Sequence, residues 1–215
     1  MLRSAFLTLI ASAITSVTFA QDMPLSEIVK SGEGWQQARG DRKEKRKGYS
    51  ATSKRTGITY STKLGEKSLF LHMGEGKPTQ MEVPLDEPTG LVLVHNEGTL
   101  VVGDASSRYL WAFRVKKDGS LDSGDKYYAL RVRKDSPRAE TTVLTSDTKD
   151  RVYAATKEGI QIYDPTGRMC GVLMLPAASP VQEMKFVGEK LDLFEIELGD
   201  KRFIRQMIAN EGFKK

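Results

Sequence analysis

A group of short apolar runs recurs along the chain, and this repeat constrains the fold more than any other feature. In its fullest copy, four runs rich in Val, Leu, Tyr and Phe are separated by turns that contain Gly, Asn and Asp. Such runs are typical of β-strands joined by tight connections. The copies lie at 58–62, 69–73 and 81–83; at 90–94, 99–104, 109–115 and 127–132; at 142–146, 151–156, 160–164 and 169–175; and at 183–187, 191–196 and 202–208.

A four-stranded unit that recurs about every 40 to 50 residues predicts the blades of a β-propeller. A small twisted sheet buries both of its faces only by stacking against copies of itself around an axis. We therefore expect an all-β, propeller-like domain over residues 56–215 with about four small antiparallel sheets. A closed ring, an open arc and a β-sandwich built from the same strands are all consistent with this pattern.

Residues 1–20 have the pattern of a secretory signal peptide. Arg3 is their one charge, an apolar stretch follows it, and small residues occupy the cleavage positions around Thr18-Phe19-Ala20. A non-cleaved anchor is the alternative interpretation. Cys170 is the chain's single cysteine, so no intrachain disulfide can form. We expect a protein that is secreted or periplasmic, with no membrane span after signal cleavage.

Residues 21–55 are polar and basic and lack the apolar residues for a core of their own. The run from Asp41 to Lys47 carries five cations and two carboxylates. We expect an arm, either solvated or in contact with an acidic polymer, and no aromatic residues are interleaved to favour nucleic acid. If the blades form an open arc, this arm or a second subunit is expected to cover an exposed sheet edge.

Over 88–206 the repeat contains recognisable sequence motifs in addition to its spacing. The informative motifs are Pro88-Thr-Gly-Leu91, Leu100-Val-Val-Gly-Asp104, Phe113 to Asp122, Arg151-Val-Tyr-Ala-Ala-Thr156 and Gly159 to Arg168. In these motifs the chain resembles the gluconolactonase, regucalcin and luciferin-regenerating-enzyme family of six-bladed, calcium-dependent propellers. It resembles the secreted bacterial members in particular, as a shortened and diverged relative.

The resemblance implies a cation on the propeller axis, held by carboxylate and amide oxygens, that polarises a sugar-lactone carbonyl. At the matching positions this chain departs from the family. Thr89 replaces the asparagine of the family's Pro-Asn-Gly, and Thr142 falls where an aspartate is expected unless a two-residue insertion brings Glu140 there. Glu140 and Thr89 are therefore the candidate metal ligands, and we expect both to point toward a common axis. One carboxylate predicts weak calcium binding or none.

Two functions follow from this combination. The substitutions favour a non-catalytic binding module for a sugar, a polysaccharide or a protein partner. The alternative is an active calcium-dependent hydrolase of sugar lactones. The sequence decides neither the ligand nor the oligomeric state.

Other chemistry-bearing residues give weaker signals. His72 and His95 are not in a zinc-ligand spacing, and Ser106, Ser107 and Ser179 lack a nucleophile elbow. Zinc and serine hydrolases are therefore disfavoured.

Strand-end carboxylates and one aromatic face are expected to be structural. Asp104 and Asp164 end strands, where a carboxylate usually caps the following turn. Tyr109, Trp111 and Phe113 alternate on one face that is expected to pack between blades, with sugar stacking only if aromatic rings are exposed. Cys170 is expected to be a small buried apolar residue.

Overall fold

The computed structural model describes residues 24–38, 48–94 and 96–208. A short 3-10 helix, Leu25–Glu27, precedes sixteen strands in this part of the chain. The predicted signal peptide, the basic run Asp41 to Lys47 and His95 lie outside the described residues. The strands are β1 (Gln36–Ala38), β2 (Gly48–Thr52), β3 (Thr59–Lys63), β4 (Ser68–His72), β5 (Thr79–Glu82), β6 (Pro88–Leu93), β7 (Thr99–Asp104), β8 (Tyr109–Val115), β9 (Leu121–Ala129), β10 (Leu144–Ser146), β11 (Val152–Thr156), β12 (Gly159–Tyr163), β13 (Met169–Leu173), β14 (Val181–Val187), β15 (Leu193–Leu198) and β16 (Lys201–Gln206).

The strands form four antiparallel four-stranded sheets that are the blades of a propeller, as the repeat predicts. Blade I is β2 to β5, blade II is β6 to β9, and blade III is β10 to β13. Blade IV combines β14, β15 and β16 with the N-terminal β1, which pairs with the outer side of β16. The β-sandwich alternative is therefore wrong. Among the described residues, no helix is long and apolar enough to cross a membrane.

Three apolar cores join neighbouring blades. The core between blades I and II contains Tyr60 and Trp111, and the core between blades II and III contains Leu110 and Tyr163. The core between blades III and IV is built around Phe194. Tyr49 of β2 packs against the core around Phe194 as well as against the core between blades I and II, so blade I contacts both.

The faces that the two end blades turn away from these cores are mostly polar, although Phe70 of β4 is buried on that face of blade I. In β3, Tyr60 and Thr62 are buried, while the alternating Thr59, Ser61 and Lys63 are half-buried or exposed. Blade IV carries Glu183, Lys185, Glu195 and Glu197 opposite its apolar face. Glu195 is held there by Lys185 Nζ at 2.9 Å and Arg202 Nη1 at 3.5 Å.

The predicted arm needs correction where the structure describes it. Residues 36–38 and 48–52 are not part of a separate arm, because they form β1 and β2. Both strands are short and half-buried or exposed, so neither needs the apolar run by which a strand is recognised. β1 nevertheless covers the edge of β16, as expected of the N-terminal segment. The predicted run 127–132 is also displaced, since β9 is Leu121–Ala129 and has no apolar residue at 122–126.

Candidate functional site

The first strands of blades II and III begin side by side, and three threonine hydroxyls are buried there. The Gly90 N–H donates to the Thr142 carbonyl at 2.8 Å, which ties the two strand starts together. The Oγ1 atoms of Thr89, Thr141 and Thr142 are buried and have no hydrogen-bond partner in the described part of the chain. We call this end of the propeller, where Thr89, Thr141 and Thr142 lie, the mouth.

Thr89 lies within the mouth as part of the packing. Its carbonyl accepts a hydrogen bond of 2.7 Å from Thr62 Oγ1 of blade I. A Cβ atom on Gly103 would lie 2.8 Å from Thr89 Oγ1 and 2.9 Å from Thr141 Cγ2. Any side chain at position 103 would therefore displace the two threonines, so this glycine sets the geometry of the mouth.

Glu140 lies at the rim of the mouth, in the loop before β10. Its backbone is in the left-handed region, with φ of 49°, and its carboxylate accepts a hydrogen bond of 2.9 Å from Lys157 Nζ. Both side chains of this ion pair are about half exposed. The carboxylate therefore lies in a solvated ion pair with Lys157.

A cavity of about 570 Å³ opens between blades III and IV at the mouth. One wall is polar and includes Glu140, Thr142 and Lys157, while the other is apolar and includes Leu175 and Met174. The Met174 side chain is 73% exposed. The cavity volume lies within the range of small-ligand pockets, roughly 300–1,000 Å³. The structure thus brings Glu140 and Thr142 to one pocket, which Thr89 does not line.

The donor set at the mouth does not fit calcium. Calcium takes six to eight oxygen ligands, with carboxylates supplying most of the affinity. The mouth offers neutral hydroxyls and one carboxylate that is already paired with Lys157. Among the described residues, no group of three or more His, Cys, Asp or Glu side chains is placed to hold a metal ion. As placed, these residues do not form a calcium site.

The turn-capping role predicted for Asp104 and Asp164 is confirmed. Asp104 Oδ1 accepts from the Ser106 N–H at 2.9 Å and from Ser106 Oγ at 2.6 Å. Asp164 Oδ1 accepts from Thr166 N and Oγ1 at 2.9 and 2.6 Å. Burial opposes ionisation of Asp164, but the hydrogen bonds from Thr166 and Arg168 outweigh it and lower its pKa.

The remaining single residues are structural. His72 Nε2 lies 3.1 Å from Ser61 Oγ on the polar face of blade I. Trp111 and Phe113 are buried between blades I and II, as predicted, whereas Tyr109 is half-buried. Cys170 is half-buried rather than fully buried, packs against the core between blades III and IV, and has a pKa raised mainly by that burial.

Sequence reasoning missed a buried charge cluster in the first turn of blade III. The side chains of Asp147 and Arg151 are both buried and form an ion pair, and Tyr153 Oη donates to Asp147 Oδ2 at 3.0 Å. The available signal was the spacing Asp-x-x-x-Arg, which returns at Asp164 and Arg168 with a more exposed arginine. Spacing alone does not distinguish the buried pair from the exposed one.

No protein-family model matches the chain, and no curated protein matches its sequence. Solved structures do match. A gluconolactonase from Xanthomonas campestris is 17% identical over 74% of this chain and 56% of its own, with a TM-score of 0.61. The calcium-binding protein regucalcin from Agrobacterium tumefaciens is 12% identical over 72% of this chain and 59% of its own, with a TM-score of 0.60.

The chain has the propeller fold of these proteins. Its similarity to gluconolactonase and regucalcin is thereby confirmed for the fold, and it spans between 56% and 59% of their lengths. A streptogramin B lyase also matches, with 13% identity over 71% of this chain and 48% of its own and a TM-score of 0.54. Because a fold shared by a lactonase and a lyase does not determine a reaction, the site must be argued from its own residues.

Proposed function

We propose that this gluconolactonase-like propeller is a non-catalytic binding module that recognises a carbohydrate or a protein partner. Export, inferred from residues 1–20, is part of the proposal and agrees with a ligand outside the cytoplasm. The observation that carries it is the donor set at the mouth. Where lactone hydrolysis would need several charged oxygen ligands, Thr89 and Thr142 offer buried hydroxyls and Glu140 is paired with Lys157.

The shape of the mouth supports binding. A pocket of about 570 Å³ with one apolar and one polar wall is suited to hold a ligand by contact and hydrogen bonds. Its charges are already paired, since Arg133 Nε lies 2.7 Å from Glu158 Oε1 and Lys157 Nζ lies 2.9 Å from Glu140 Oε1. No free base is thereby poised to activate water at these residues.

The alternative function is a calcium-dependent sugar-lactone hydrolase. It is favoured by the position of Glu140, which lines a pocket beside the start of β10, and by the fold shared with gluconolactonase. In that case Glu140 would have to exchange Lys157 for a cation, and the buried threonine hydroxyls would complete its ligands.

Hydrolysis of glucono-1,5-lactone separates the two functions. The full chain and Glu140→Gln are assayed at neutral pH with calcium and with a chelator, against the spontaneous hydrolysis of the lactone. We expect both proteins to leave the spontaneous rate unchanged under either condition. A rate well above it that the chelator abolishes, and that Glu140→Gln lacks, would establish the hydrolase instead.

A further inference from the structure

A second groove lies at the end of the propeller opposite to the mouth, between blades II and III. The mouth contains the turn between β11 and β12, whereas the groove contains Asp150, from the turn between β10 and β11 at the other end of the same sheet. Its volume is about 380 Å³. It shares no lining residue with the mouth pocket, so it is a separate candidate site.

Tyr127 places an exposed aromatic ring in this groove. Its side chain is 48% exposed, whereas the neighbouring Tyr128 is buried. The Tyr127 ring meets the Tyr128 ring edge-on, with 4.9 Å between centroids, and its hydroxyl lies 3.4 Å from the Pro165 carbonyl. Gly167, with φ of 87°, brings backbone against the ring, since a Cβ there would lie 3.2 Å from Tyr127 Cε1. The ring is thus held in place before any ligand arrives.

Side chains of both positive and negative charge line the same groove as the Tyr127 ring. Asp125 and Arg114 line the groove from blade II, and Asp150 lines it from blade III. Asp150 has φ of 59°, and its Oδ2 lies 3.4 Å from Asn96 Nδ2. Its Oδ1 is buried without a hydrogen-bond donor in the described part of the chain. Native proteins satisfy such an oxygen, and a ligand hydroxyl is one group that can do so.

This combination indicates the chemistry of the ligand. A sugar ring has an apolar C–H face that an aromatic ring can cover, and hydroxyls that both donate and accept hydrogen bonds. Two carboxylates, Asp125 and Asp150, outnumber Arg114 in the groove and disfavour an acidic sugar. We propose that the groove centred on Tyr127 is a binding site for a neutral oligosaccharide. The proposal rests on the binding role proposed above and adds a second site to it.

Calorimetric titration of the full chain with neutral oligosaccharides tests this site. The probes are maltohexaose, cellohexaose and laminarihexaose, with oligogalacturonate as the acidic comparison. We expect at least one neutral probe to bind, Tyr127→Ala to weaken that binding about tenfold or more, and Tyr127→Phe to retain it within about threefold. Asp150→Asn keeps the side-chain size and tolerates the left-handed backbone, and is expected to weaken binding about fivefold.

Matched controls separate the groove from the fold and from the mouth. Tyr109→Ala removes a tyrosine of the same blade that does not line the groove, and is expected to bind as the wild type does. Met73→Ala changes an exposed residue that lines neither the groove nor the mouth pocket, and should also leave oligosaccharide binding unchanged. Circular dichroism and the thermal midpoint establish that each variant is folded.

Three outcomes would overturn the proposal: no neutral probe binds at up to about 10 mM, Tyr127→Ala binds as tightly as the wild type, or oligogalacturonate is preferred. Lactone hydrolysis by the wild type would overturn the proposed function but not the groove. Loss of oligosaccharide binding in Lys157→Ala, with Tyr127→Ala unaffected, would instead place the sugar in the mouth.

Discussion

The two middle blades and the two end blades have different environments, although all four have the same topology. Every residue of β11 and β12 in blade III is buried, because this blade packs against apolar cores on both faces. β3 of blade I alternates between buried and more accessible residues, and in β14 of blade IV only Val181 and Met184 are buried. An end blade therefore has one face in an apolar core and one mostly polar face. We expect the two middle blades, II and III, to contribute most of the stability.

The buried charges give the largest test of this difference. Asp147→Asn removes the negative charge from an ion pair in which both side chains are buried. We expect a loss of about 3–5 kcal/mol in the free energy of unfolding. Glu195→Gln in blade IV should cost only about 1 kcal/mol, because Lys185 and Arg202 are partly exposed and can turn to water.

Urea unfolding at neutral pH measures both losses. Equal losses for the two variants would show that blade IV is as closely packed around its charges as blade III. A change in the denaturant slope of either variant would instead point to partial unfolding of an end blade.

A matched pair of valines tests the same contrast without charge. Val152 in β11 is completely buried, whereas Val187 in β14 lies half-buried on the polar side of blade IV. Val152→Ala is expected to lower the free energy of unfolding by about 2–3 kcal/mol, since it removes two methyl groups and leaves a cavity. Val187→Ala should cost about 1 kcal/mol or less. A larger loss at Val187 would indicate that something covers this face in solution.

The contrast between blades also decides how much of the fold the sequence predicts. The runs at 99–104 and 109–115 coincide with β7 and β8, because buried strands need apolar residues throughout. β1 and β2 escaped recognition because Gln36–Ala38 and Gly48–Thr52 become strands through pairing with distant partners, and not through their own composition. The alternation in Thr59–Lys63 was a readable signal of a half-exposed face.

The candidate sites were predicted less well, for a physical reason. Thr89 and Glu140 were chosen because they fall at or near the positions of the resembled family's metal ligands. Such a match cannot tell a buried hydroxyl from a carboxylate paired with lysine. The groove at Tyr127 depends on Asp150 and Asn96, which come from turns of different blades. The packing of the two turns brings these residues into contact, and no local sequence pattern predicts a contact between residues so far apart in the chain.

A carboxylate joins an end blade to a middle blade and should make that junction sensitive to pH. Glu97 of blade II accepts hydrogen bonds from Ser53 Oγ at 2.6 Å and from the Lys54 and Arg55 N–H groups at 2.8 and 3.1 Å. Burial opposes its ionisation, but these hydrogen bonds outweigh the burial, so its pKa lies below the ordinary value of 4.5. Ionised Glu97 thus favours the folded state.

We expect this contribution to be complete above about pH 5 and to disappear as the pH falls through the lowered pKa. Glu97→Gln should cost about 1 kcal/mol at pH 7, and its difference from the wild type should shrink toward pH 3. Thermal unfolding as a function of pH measures this difference. A difference that stays constant between pH 7 and pH 3 would mean that the contribution of Glu97 to stability does not depend on its charge.

The smallest expected effect lies at the mouth, where blade III meets blade IV. Glu140 and Lys157 form an ion pair between half-exposed side chains, and such pairs contribute about 0–1 kcal/mol. Glu140→Ala should therefore change the free energy of unfolding by no more than about 0.5 kcal/mol. It does not relieve the left-handed backbone, since alanine keeps a Cβ there. Calcium titration is the sharper readout, because a single paired carboxylate with neutral hydroxyls should bind no tighter than roughly millimolar. Tight calcium binding by the wild type that Glu140→Ala removes would make this rim a metal site and return the hydrolase to first place, whereas weak binding unchanged by the substitution leaves Glu140 as the solvated partner of Lys157.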